Sequence, residues 1–322
     1  MMKKIYFAAF LSMSAVAACD VAEESDLSVD EEKVCLGVSL PPDVTKVSGT
    51  SSEGAVNDLQ VFVFDDSGNL ESYGHSASSA LTLECYPGTK DVVALVNAPS
   101  FSGLSKYSEL MQKTSVLSDN AVSSLVMEGK TNVKVSSSTT VTVPVSRLAA
   151  KVTLTKIVNA MELEYHRKMT FALTSVYMIN VAGDKKYLTD SAPSQWYNKM
   201  KYEAGSPSFL WQTLNGKVLG YNGSYDEDSY FYCYPNHTAD DYNDGAWQPR
   251  HTRLVVEATL GGTTYYYPVT LPEVDQNTAY EISLTVTRPG SDSPDKPVDS
   301  HSAEFTVKVV DWIDGVDIDE VI

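Results

Sequence analysis

The side chains that catalysis or metal binding would recruit are present but scattered. The 5 histidines are His75, His166, His237, His251 and His301. No two of them stand at the i, i+4 spacing that puts a pair of imidazoles on one helical face to hold zinc. Gly74-His-Ser-Ala-Ser78 lacks the second glycine of a nucleophile elbow, so a chance serine beside a glycine accounts for it. Tyr225-Asp-Glu-Asp228 and Asp240-Asp-Tyr-Asn-Asp244-Gly245 gather carboxylates around aromatic rings, as a calcium loop would. The order of Asp240, Asn243, Asp244 and Gly245 does not follow the alternating ligands and terminal Glu of an EF-hand, and a solvated acidic loop is the plainer reading. Trp196, Trp211 and Trp247, with the tyrosines between Tyr197 and Tyr242, could form a sugar-stacking platform. Aromatic rings also fill β-sandwich cores, which is the reading preferred here, with a surface glycan-binding lipoprotein as the rival class. No catalytic residue, cofactor or metal is expected, and the chain is not read as an enzyme.

The cysteines do suggest chemistry, of another kind. Residues 1–19 have a basic start, a short apolar run and small residues before Cys19, the layout of a secretory signal and too short to span a bilayer. Val16-Ala17-Ala18-Cys19 resembles the lipobox of bacterial lipoproteins, which makes Cys19 the expected lipidation site and the outer membrane the expected anchor. No later stretch is apolar for long enough to cross a membrane as a helix. With 24 Lys and Arg against 42 Asp and Glu, the net charge of −18 excludes a nucleic-acid partner, because phosphate binding needs a basic face. Cys35, Cys85 and Cys233 remain after export, leaving room for one disulfide or none. Cys35 with Cys85 is the pair to test first, since both sit in apolar strand-like runs of the N-terminal half; buried free thiols are the alternative.

These residues are set among elements that read as mainly β. Asp20-Val-Ala-Glu-Glu-Ser-Asp26 is an acidic tether with too little apolar content to fold alone. It resembles surface-export signals of some outer-membrane lipoproteins, and a plain solvated linker fits it equally. Beyond it, short alternating or β-branched runs recur between turn residues: Val34–Leu40, Leu59–Phe64, Val92–Val96, Thr139–Val143, Val152–Leu154, Leu254–Ala258, Tyr265–Val269 and Phe305–Val309. The pattern predicts two tandem antiparallel β-sandwich domains with short helical inserts, one near Tyr107 to Ser115. The boundary falls near Pro144-Val-Ser-Arg147, giving residues 20–145 with the leading tether and residues 146–322 with a terminal strand. Asp65-Asp-Ser-Gly68 and Gly261-Gly262 predict hairpin turns.

Several motifs resemble one family in the expected order. Asn57-Asp-Leu-Gln-Val-Phe-Val-Phe-Asp-Asp-Ser-Gly-Asn-Leu70 is similar to the first long hairpin of fimbrillins, the major-subunit family of type V pili. Cys85 through Asn97 resembles the next strand pair, and Val143-Pro-Val-Ser-Arg147 through Val152 the opening of the C-terminal domain. Phe231–Asn236, Leu254–Pro268, Asn277–Ile282, Arg288–Pro294 and Val309–Trp312 follow. The resemblance implies a structural, non-catalytic fimbrial subunit supporting adhesion, exported as a lipoprotein and assembled with other subunits into a homopolymer or mixed filament. It further implies that a protease cuts after the first strand, which then leaves, and that a neighbour's C-terminal strand fills the groove.

This sequence departs from the family where processing best known to follow an arginine is expected, because the first arginine is Arg147, at the domain junction. The segment Asp43 to Gly54 offers only Lys46 as a basic candidate, so either a protease of other specificity acts there or the subunit is an uncut anchor or accessory pilin. Phe305, Val307 and Val309 alternate with Thr306 and Lys308, and beyond the Asp314-Gly315 turn the alternation resumes. The tail from Phe305 to Ile322 is therefore read as the donor segment, with Val316, Ile318 and Ile322 as the candidate donor-strand residues; the alternative is that the tail completes the subunit's own sandwich. Asp190-Ser191-Ala192 resembles a short O-glycosylation sequon of bacteria carrying this pilus family, with Ser191 the acceptor.

Overall fold

The computed structural model describes residues 32–42, 53–239, 245–298 and 302–312. In the N-terminal half the elements are β1 (Val34–Ser39), β2 (Leu59–Phe64), β3 (Leu70–Ser76), β4 (Ala80–Cys85), β5 (Gly88–Val96), α1 (Tyr107–Leu110), β6 (Thr114–Val116), β7 (Met127–Val135), β8 (Thr139–Thr142) and β9 (Ser146–Arg147). A three-stranded sheet ordered β4-β1-β8 lies over a five-stranded sheet ordered β3-β2-β5-β7-β9.

The β2 run Leu-Gln-Val-Phe-Val-Phe is buried along its whole length, because its sheet is covered on both faces. Leu59, Val61 and Val63 join Leu36 and Val38 of β1 and Val92 and Ala94 of β5 in one core. Phe62 and Phe64 point the other way, into a second core with Val93, Leu95, Leu110 and Leu117. The period of two thus feeds two cores from one strand. The predicted β2–β3 turn forms as read: an Asp65 carboxylate oxygen accepts the backbone N–H of Ser67 at 2.9 Å and of Asn69 at 2.8 Å, and Gly68 takes φ +77°.

The C-terminal half contains β10 (Ala150–Asn159), α2 (Glu164–Arg167), β11 (Phe171–Ile179), β12 (Val181–Ala182), β13 (Asp184–Lys186), β14 (Trp196–Tyr197), β15 (Trp211–Val218), β16 (Ser224–Tyr225), β17 (Ser229–Cys233), β18 (Arg253–Leu260), β19 (Thr263–Thr270), β20 (Thr278–Val286) and β21 (Ala303–Asp311). One sheet is ordered β16-β10-β20-β21, with β17 beside β16 on β10, and the facing sheet is ordered β15-β11-β18-β19. Gly261 and Gly262, at φ +59° and +86°, make the two-residue turn that pairs Leu260 with Thr263. A buried Asp295 carboxylate binds Arg250 at 2.7 Å and Arg253 at 2.8 Å, fixing the chain after β20 against β18.

Strand pairing changes halves between Arg147 and Ala150, where β9 ends and β10 begins. The halves are nonetheless joined by one hydrophobic cluster that runs from Phe62 and Phe64 to Val152, Phe171 and Ile282. β6 also pairs with β13 across the junction, and Lys185 meets Glu128 at 3.1 Å with both side chains buried.

The proposed Cys35–Cys85 bridge is not formed, and all three cysteines of the described residues are free thiols. The register explains it: Cys85 faces Val34 and Cys35 faces Glu84. One step of register sends neighbouring side chains to opposite sheet faces, so Cys85 enters the core while Cys35 looks outward.

Candidate functional site

The feature with a functional consequence begins at β1. It is the middle strand of its sheet, antiparallel to β4 from Val34↔Cys85 to Ser39↔Ala80 and parallel to β8 from Leu36↔Thr139 to Ser39↔Thr142. Leu36, Val38 and Leu40 are buried in the N-terminal core. Each contributes about 1.5–3 kcal/mol by burial, so together they hold the strand with about 6 kcal/mol. That is comparable to the whole stability of a typical domain. Taking β1 away would leave two unpaired strand edges and three empty apolar pockets side by side, which is what an incoming strand needs.

β1 and β2 belong to opposite sheets, and the chain that crosses between them includes residues 43–52, which lie outside the described residues together with Lys46. The chain re-emerges at Glu53, whose side chain is only 1 % exposed. One of its carboxylate oxygens accepts hydrogen bonds from Lys151 Nζ and Tyr232 Oη, each at 2.7 Å. The other accepts from Trp312 Nε1 at 3.1 Å. Arg147 Nε donates to the Glu53 carbonyl at 3.4 Å, its guanidinium lies 4.7 Å from the Trp312 ring centre, and Tyr232 stacks on Trp312 at 5.8 Å.

Burial opposes the Glu53 charge, but the Lys151, Tyr232 and Trp312 hydrogen bonds and the Lys151 charge outweigh it, so this carboxyl titrates below the ordinary 4.5. Burial, reinforced by the Glu53 hydrogen bond and charge, pushes the Tyr232 phenol up. Glu53 therefore ties the far end of the crossing segment both to the C-terminal half and to the root of the tail. Arg147, 5 % exposed and also bonded to Asn277 Oδ1 at 3.1 Å, is closed to a protease.

The other sequence candidates fall as follows. β21 pairs with β20 along its full length, from Thr278↔Asp311 to Val286↔Ala303. Residues 303–311 thus complete the subunit's own sheet, which corrects the reading of Phe305 onward as donor; Phe305 and Val309 are exposed on that edge strand. Val316, Ile318 and Ile322 lie outside the described residues, as do Cys19 and the acidic run 240–244. Ser191 sits on an exposed loop between β13 and β14, its Oγ accepting from Thr189 Oγ1 at 3.3 Å.

The tryptophans do not form one platform. Trp196 meets Trp247 edge-on at 5.7 Å, Trp211 leans on Tyr202 at 6.3 Å, and Trp312 is buried beside Glu53. Among the described residues no group of His, Cys, Asp and Glu is arranged to hold a metal ion, and no helix is long and apolar enough to cross a membrane. Glu53, Lys151 and Tyr232 escaped the sequence reading, because nothing local marks residues whose partners lie about a hundred or more positions away.

Fold and site together define a double β-sandwich protein in which β1 lies buried in the middle of a sheet, between β4 and β8. Residues 43–186 match the family model described as Major fimbrial subunit protein (FimA), in line with the fimbrillin resemblance of the motifs. No curated protein matches the sequence. Among solved structures, a candidate cell adhesion protein of Bacteroides eggerthii aligns with TM-score 0.65 at 19% identity, covering 87% of this chain and 96% of its own. A fimbrilin (FimA) of Porphyromonas gingivalis aligns with TM-score 0.63 at 16% identity, covering 88% and 98%. The tip fimbrial protein Mfa3 of the same organism, with C-terminal truncation, aligns at 0.57 and 16%, covering 87% and 100%. At these identities the likeness is one of fold.

Proposed function

We propose that this chain is a structural, non-catalytic subunit of a bacterial surface fimbria that polymerises by strand exchange and supports adhesion. The observation that carries the reading is β1: a buried, middle-of-sheet strand joined to the rest of the fold through one crossing segment. In this reading the precursor is exported, lipidated at Cys19 and held at the outer membrane. A protease then cuts within residues 43–52, where Lys46 is the basic candidate. β1 departs, Glu53 keeps the new N-terminus fixed, and the tail of a neighbouring subunit, through Val316, Ile318 and Ile322, enters between β4 and β8. The partners are other fimbrial subunits, in a homopolymer or a mixed filament.

Deleting Asp314 to Ile322 tests it. The truncated chain should be secreted as a folded monomer that no longer forms the denaturation-resistant ladders of the wild type. Filaments built from truncated subunits would sink the proposal.

A further inference from the structure

A cavity of about 550 Å³ opens between β15 and β17, the edge strands of the two C-terminal sheets, beside the helical turn Ser208–Leu210. Its wall carries three large aromatic side chains that the fold leaves in solvent: Phe209 at 36 %, Trp211 at 39 % and Tyr230 at 42 % exposure. The sandwich core is filled by other rings, among them Phe171, Phe231, Tyr267 and Tyr280. These three stand outside that core, and hydrophobic rings left partly exposed around one concavity mark a binding surface.

The rings are held in place. Trp211 rests against Tyr202 at 6.3 Å; Tyr230 lies against Tyr232 at 5.9 Å and beneath Lys151 Nζ at 5.2 Å. The cavity also presents Gln212 and Asp228. Neither side chain makes a hydrogen bond or ion pair among the described residues, so a carboxamide and a carboxylate are left to meet a ligand. Asn120, also in the wall, is already spent on Tyr234 Oη at 2.9 Å and the Val126 N–H at 3.0 Å.

The chemistry of the wall selects the ligand. Flat rings offer stacking to the C–H face of a pyranose, and the free amide and carboxylate offer partners to its hydroxyls. No Lys or Arg lines the cavity, and Asp228 on a chain of net charge −18 repels anions. We infer that this cavity binds neutral carbohydrate, with Trp211 and Tyr230 as stacking faces and Gln212 and Asp228 as hydroxyl readers. Of the tryptophans first grouped by sequence, only Trp211 serves here; Trp196 and Trp247 are paired elsewhere.

The experiment uses the purified full-length protein as a monomer, so its outcome is independent of polymerisation. Intrinsic fluorescence and calorimetric titrations would compare neutral oligosaccharides (mannopentaose, cellopentaose, xylopentaose and lacto-N-tetraose) with the anionic 3′-sialyllactose. At least one neutral sugar should bind in preference to sialyllactose. Trp211→Ala and Tyr230→Ala should each weaken that binding about tenfold or more, while Trp247→Ala stays within about twofold. Unchanged thermal unfolding would show that the two cavity variants are folded, and Trp211→Phe should restore part of the affinity if stacking is the cause. No neutral sugar bound at millimolar concentration, equal affinity for sialyllactose, or full binding by folded Trp211→Ala would each overturn the assignment. Capture of an extended peptide in place of sugar would overturn it too, in favour of strand addition at these edges.

Discussion

At the scale of single residues, Glu53 is the position on which most depends. Replacing it with Ala leaves Lys151, Tyr232 and Trp312 without their shared acceptor inside the fold. The expected cost is about 3 kcal/mol, read as a lower urea midpoint. The pH dependence has a definite sign. The native pKa lies below 4.5, so this stabilisation is fully present above pH 4.5 and fades as pH falls through the lowered native value. Glu53→Gln should flatten that acid limb, and an unchanged limb would show that Glu53 does not set it. The thiols give a second check. Cys35 is exposed, whereas burial raises both the Cys85 thiol and the Cys233 thiol, the latter to about 12. Of Cys35, Cys85 and Cys233, maleimide should modify only Cys35 in the native protein and all three after denaturation, with no mass change on reduction. The sequence could not settle this, because two cysteines in apolar runs look alike until register assigns each to a face.

At the scale of elements, β1 is well packed, and the proposed strand exchange requires that it also be removable. Leu36→Ala should destabilise the intact chain by about 2–5 kcal/mol, as for any buried leucine. After cleavage within residues 43–52 the same change should hasten loss of the β1 fragment during gel filtration. A fragment lost no faster from the variant would mean that β1 is not held by these pockets. The β runs and both hairpin turns were legible, since alternation and turn chemistry are local signals. β2 read as a strand, but its double burial did not, because a second covering layer is made by residues far away in sequence. The tail illustrates the same limit: Phe305 to Val309 alternates as a half-buried strand should, yet which sheet it joins is decided by β20.

At the scale of the whole molecule, the N-terminal and C-terminal sheets pair separately but share one hydrophobic core. Subunits isolated from filaments should begin within or just after residues 43–52 and no later than Glu53, because a cut beyond it would discard the Lys151 and Trp312 contacts. N-terminal sequencing decides this, and a start at Cys19 would favour an uncut anchor. The placement of Glu53 also bears on how a filament would carry tension. A pull applied at Trp312 loads β21 lengthwise against β20, so its ladder of hydrogen bonds must fail together in shear instead of peeling one at a time. Part of that load bypasses the sheet altogether, passing from the Trp312 indole through the Glu53 carboxylate to the chain that borders the N-terminal sandwich. In a fibre joined tail to groove, successive joints would then be connected by a short rigid strut across each subunit, and drag on the fibre would be borne by the cores while the loops stay slack.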